Sequence, residues 1–120
     1  MIMQKVVLDT NIVIDFTRRA SSVLRDLFDL ADQKRIRLFI PAVVVTELMA
    51  GRETLKEDEL RDLQLFFKKL EFITLDYDLS EKAGFLVRDN RGLGLADAIV
   101  AATAISLNAK LATRNIKDFD

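Results

Sequence analysis

Two kinds of apolar run alternate along the chain. The first kind is short, continuous and rich in β-branched residues, as in strands buried on both faces. Residues 5–8, 37–40, 71–75 and 110–113 read as four such strands. Between them apolar positions recur at helical spacing. Residues 11–17 form a short helix. Ser21 or Ser22 can cap a second, with the stripe Val23, Leu24, Leu27, Phe28 and Ala31. Pro41 suits the first turn of a third, which runs to about residue 50 and stops at Gly51. Residues 56–70 are strongly amphipathic, with Leu60, Leu63, Phe67 and Leu70 on one side. Ser80 opens a helix to about residue 89, and residues 95–107 make a long alanine-rich one. The alternation predicts an α/β domain, a parallel sheet covered by helices. One proline, four glycines and no repeat leave residues 1–120 as a single domain. The sequence stops just after a turn at Asp118-Phe119-Asp120, and the pattern leaves room for a further C-terminal strand beyond it.

Three acids interrupt this pattern. Asp9 ends the run Val6-Val7-Leu8, Glu47 breaks residues 43–49, and Asp97 stands in residues 95–102. No Lys or Arg lies within four residues of Asp97, only Lys5 lies that close before Asp9, and Glu47 has no basic neighbour until Arg52. A carboxylate in an apolar setting costs several kcal/mol unless a positive or hydrogen-bonding group meets it. Brought together, the three would repel one another, hold one another's pKa values up, and call for a shared hard cation. That points to phosphate chemistry.

Each acid also has a plainer reading. Asp9, Thr10 and Asn11 all make good helix caps. Glu47 lies too deep in its helix to cap it, with Val43 and Val44 on its face; it can equally reach the surface or pair with Arg52. Thr46 beside it could hydrogen-bond a carboxylate. Asp97 is a poor interior helix residue, and a helix starting at Asp97 would explain it as well as a site does. After the last strand, Asn115 and Asp118 offer ligand oxygens, and turn chemistry accounts for both. Arg18, Arg91 and Arg114 can each meet an RNA phosphate or simply be solvated.

Composition narrows the chemistry. The chain has no cysteine and no histidine, which excludes disulfides, thiolate sites, thiol nucleophiles and the usual neutral-pH base. A metal here must be held by oxygen. A net charge of −1 provides no global attraction for nucleic acid, so any contact is local. The N-terminal residues before the first strand are too few for a signal peptide, and no apolar run reaches spanning length. A cytoplasmic protein is the default.

Four motifs now stand in order: Val-Val-Leu-Asp-Thr-Asn at 6–11, Pro-Ala-Val-Val-Val-Thr-Glu-Leu-Met-Ala-Gly at 41–51, Gly-Leu-Gly-Leu-Ala-Asp-Ala-Ile-Val-Ala-Ala-Thr-Ala at 92–104, and Leu-Ala-Thr-Arg-Asn-Ile-Lys-Asp-Phe at 111–119. Together they resemble the PIN-domain ribonucleases, in particular the VapC-like toxins of toxin–antitoxin pairs, over nearly the whole chain. The resemblance implies a three-layer α/β sandwich with a central parallel sheet of four or five strands. It implies an endoribonuclease dependent on Mg²⁺ or Mn²⁺, a small antitoxin that blocks the site, and a homodimer. Asp9, Glu47 and Asp97 match the family's three best-kept acids. Thr10, Asn11 and Thr113 match polar residues beside them. Asn115 stands where the family often has a fourth acid, with Asp118 three residues on, which puts a second metal in question. A non-catalytic relative that only binds RNA or a partner is the competing reading. Two other Mg²⁺-binding α/β domains fit worse. A phosphoacceptor receiver needs adjacent acids before residue 9, and an aspartyl phosphatase needs an acid at residue 11, where Asn11 stands.

Overall fold

The computed structural model describes residues 3–18 and 23–113, and the backbone alone of 117–118. β1 (Gln4–Leu8) lies at the centre of a five-stranded sheet. β2 (Ile36–Pro41) and β4 (Lys110–Ala112) pair with it in parallel, Val6 facing Leu38 on one side and Lys110 on the other. β3 (Glu71–Ile73) continues the parallel sheet beyond β2, and β5 (Lys117–Asp118) closes the far edge antiparallel to β4. The order is therefore β3-β2-β1-β4-β5. The unbroken apolar runs explain this placement. Val7, Leu8 and Ile40 have no exposed surface, as residues covered on both sides of a sheet must.

Among the described residues six α-helices flank the sheet: α1 (Thr10–Thr17), α2 (Val23–Asp32), α3 (Ala42–Met49), α4 (Glu57–Phe67), α5 (Tyr77–Asp89) and α6 (Leu95–Leu107). Ile12, Val13, Leu24, Leu27 and Val44 join the strands in the main core. A second cluster sets Leu79 and Ala83 of α5 against Ala98, Ile99 and Ala102 of α6, where the alanines let the two helices approach closely. α4 buries no residue completely. It is held instead by an aromatic cluster, with ring centroids 6.1 Å apart for Phe16–Phe28, 6.0 Å for Phe16–Phe66 and 5.5 Å for Phe28–Phe66. Across β2 and β3, Arg37 donates twice to Glu71, at 2.8 and 2.6 Å; these bonds hold the glutamate's carboxyl below its ordinary pKa range.

Several boundaries differ from those the pattern predicts. α5 starts at Tyr77 because Asp76 caps it, its Oδ1 accepting the Leu79 N–H at 2.9 Å. Ser80 is already inside that helix, donating to the Asp76 carbonyl at 2.7 Å. The stretch before α4 is a separate 3₁₀ turn, Arg52–Leu55. β5 forms at Lys117–Asp118, where a turn is expected. Among the described residues no helix is long and apolar enough to cross a membrane.

Candidate active site

β1 delivers Asp9 at the carboxyl edge of the sheet, where ligands of parallel α/β folds gather. The Asp9 N–H donates to the Ala112 carbonyl at 3.2 Å, which ties the ends of β1 and β4 together. Its side chain caps α1, Oδ1 accepting the Ile12 N–H at 3.0 Å. The next residue, Thr10, reaches across to α3 and donates its hydroxyl to Glu47 Oε1 at 2.6 Å. α3 leaves the carboxyl end of β2 directly, so its turns start on this same edge. α6 leads through Asn108 and Ala109 into the beginning of β4 and packs on β1. Its own first turn, with Asp97, is therefore at the opposite, carboxyl end. Gly94 is the N-cap of α6 and Asp97 its third residue, so the capping alternative for Asp97 does not apply. A carboxylate in that first turn is favoured by the helix dipole.

The topology thus brings the three acids to one edge, without forming a closed cage. Among the described residues no group of three or more acidic, histidine or cysteine side chains stands close enough to hold a metal. Glu47 and Asp97 are exposed and Asp9 half-buried. Apolar surroundings meet only part of each acid: Asp9 follows the buried Leu8 and Glu47 lies next to the partly buried Leu48, while solvent reaches all three. Their mutual repulsion is correspondingly relieved by solvent.

The remaining predicted residues divide. Asn11 is exposed in the first turn of α1, and Thr113 directly follows β4, half-buried. Thr46 turns its hydroxyl back to the Ala42 carbonyl at 3.0 Å, a local bond that takes its proton away from any site partner. Asp118 pairs with Lys110, at the beginning of β4, so the register sets its backbone away from the edge that carries Asp9. Arg91 is exposed in the turn before α6. Asn115 and Arg114 lie outside the described residues. Arg18 follows α1 and lies 3.6 Å from Glu53.

One feature escaped the linear pattern. A cleft of about 620 Å³ opens beside Glu47, floored by Ile14, Phe16, Leu48, Leu63 and Phe66 from three different helices and rimmed by charge. No local spacing reports such a surface. Thr10 has the clearest structural role here. Thr10→Val should leave α1 intact, because Asp9 caps it, while freeing Glu47 to swing; Thr10→Ser should keep the bond. Cleavage assays are expected to show a loss of about tenfold to a hundredfold for the valine protein and near-parental rates for the serine protein. Equal rates for both would remove Thr10 from the site.

A parallel α/β sheet with carboxylates and hydroxyls along its carboxyl edge defines an all-oxygen site in a doubly flanked fold. The chain belongs to the PIN domain family, whose model matches residues 6–120. It is 30% identical over 119 residues to Ribonuclease VapC19 of Mycobacterium tuberculosis, covering 93% of this chain and 90% of that one. It is 33% identical over 123 residues to Ribonuclease VapC2 of Rickettsia felis, covering 93% and 87%. Among solved structures it is similar to VapBC2 from Rickettsia felis bound to a promoter DNA fragment, with a TM-score of 0.77, 27% identity, and 93% and 88% of the two chains covered. DNA-bound VapBC from Salmonella typhimurium gives a TM-score of 0.74 at 26% identity, covering 92% and 85%.

Proposed function

We propose that this protein is a divalent-metal-dependent endoribonuclease, the toxin of a toxin–antitoxin pair. The observation that carries the reading is the Thr10–Glu47 hydrogen bond, which joins the residue after Asp9 to the helix bearing the second acid. The relatives named as VapC ribonucleases, and the VapBC complexes it is similar to, support both the activity and an antitoxin partner. Asp9, Glu47 and Asp97 would hold the cation, with Asn115, which the family resemblance matches to a fourth acidic position, as a further candidate oxygen. The donor set fits Mg²⁺ or Mn²⁺, because hard cations take oxygen ligands and this chain offers neither imidazole nor thiolate.

When bound, such an ion supplies Lewis-acid polarisation of a phosphoryl oxygen and activation of water. The chain's own contribution is placement. Asp9 is fixed by the strand end and its cap, Glu47 by Thr10, and Asp97 by the start of α6. The exposure of Glu47 and Asp97 leaves the edge open to a splayed strand, so single-stranded or looped RNA suits it better than a duplex. Homodimerisation and a cytoplasmic location complete the proposal. The second reading, an RNA-binding or interaction module without catalysis, draws on Asn115 in the fourth acidic position and on the absence of a closed cage among the described residues.

Removing metal separates the two. Purified protein should cut a single-stranded RNA pool, fall to background in excess chelator, and recover on addition of Mg²⁺ or Mn²⁺ in excess of the chelator. Cutting that continues unchanged in excess chelator would sink the metal-dependent mechanism, and binding without any cutting would favour the second reading.

A further inference from the structure

The cleft beside Glu47 carries two basic residues, Arg18 and Arg25, against the acids Glu47, Glu53, Glu59 and Asp62. A phosphate backbone entering it meets more carboxylates than cations. Arg18 is also occupied: its Nη2 lies 3.6 Å from Glu53 Oε1, with the two side chains 68% and 63% exposed. The position of Glu53 is built into the turn. Thr54 locks that turn with its single hydroxyl proton shared between the Gly51 carbonyl at 2.7 Å and the Met49 carbonyl at 3.0 Å. The Glu53 carboxylate folds back over the bare backbone of Gly51, where an added Cβ would come within 2.8 Å of Oε2. A side chain at residue 51 would therefore push the carboxylate aside.

We propose that Glu53 is a built-in competitor of the RNA backbone: it holds Arg18 in the free protein, and a phosphate must take its place. This deepens the ribonuclease reading and depends on it. An exposed ion pair at this separation is weak and readily exchanged. A guanidinium can instead grip a phosphate with two parallel hydrogen bonds. After the exchange the displaced carboxylate remains beside the RNA and repels it. Glu53 thus sets a threshold: RNA that presents a phosphate at Arg18 overcomes it, and loosely placed RNA does not.

The test measures binding alone, in an Asp97→Asn background that prevents cutting. Fluorescence anisotropy of a short labelled single-stranded RNA is read for the Asp97→Asn parent, with Glu53→Gln, with Arg18→Gln, and with both. Glu53→Gln is expected to tighten Kd by about threefold to tenfold and to steepen the salt dependence by about 0.7 in log–log slope, one more phosphate contact. Arg18→Gln should weaken Kd by a similar factor, and Glu53→Gln should give no gain once Arg18 is gone. A gain of equal size without Arg18 would reduce Glu53 to general repulsion and overturn the masking. Equal affinity for the parent and Glu53→Gln would overturn it too, while leaving the ribonuclease reading intact. Failure of all four proteins to bind RNA would retire both.

Discussion

Asp97→Asn should leave the protein folded and lower the turnover of RNA by about a hundredfold or more, the scale on which one preorganised charge at a reacting phosphate acts. The substitution keeps the shape of the side chain and removes only its charge. Asp97 is exposed, in the first turn of a helix capped by Gly94, so little packing depends on it. Loss of its favourable interaction with the helix dipole costs about 0.3–1 kcal/mol, a shift of a few degrees in Tm. The expected signature is thus a large fall in initial rate with a nearly unchanged thermal melt by circular dichroism. Asp9→Asn and Glu47→Gln should behave alike: asparagine preserves the cap on α1, and glutamine still accepts from Thr10. Retention of cleavage within threefold of the parent in the Asp97→Asn protein would take this residue out of the site.

The sheet was legible because buried parallel strands are written as unbroken apolar runs, and 6–8, 38–40 and 111–112 are such runs. α6 was legible as residues 95–107, but its start stayed open between Leu95 and Asp97 until Gly94 proved to be the N-cap; Asn108, in the left-handed region at φ 53°, stops it. The start of α5 was misread because Asp76 and Ser80 are both good caps and sequence does not rank them; a short β3 gave the position to Asp76. β5 was missed because two residues carry no period. For the site, the three acids could be picked out by type and spacing, but their surroundings could not. Apolar neighbours one turn away do not fix how far a side chain reaches into solvent: Glu47 and Asp97 are exposed although Val44 and Val100 beside them are buried. The Thr10–Glu47 bond spans 37 residues and depends on the docking of α1 on α3, which no local pattern encodes. The same holds for Asp118, whose distance from the edge follows from an antiparallel register set by β4.

The placement of Asp9 depends on the burial of the residue before it, and Leu8→Ala examines that directly. Leu8 has no exposed surface, belongs to the central strand, and pairs in register with Ala112. Removing its isobutyl group leaves a cavity that a sheet held on both sides has little freedom to collapse. The expected loss is about 2–5 kcal/mol in urea titration with an unchanged m value, or roughly a 10–20 °C fall in Tm. Leu8→Met, which conserves volume, should lose less than about 1.5 kcal/mol. Function should follow in a particular way. Asp9 is the next residue, and its N–H is anchored to the strand partner at Ala112. A relaxed end of β1 moves the carboxylate, so RNA cleavage by the alanine protein should fall further than its folded fraction, even well below the midpoint. If Leu8→Ala costs less than about 1 kcal/mol, β1 is not the buried central strand, and the proposed site at the edge it shares with Glu47 and Asp97 loses its foundation.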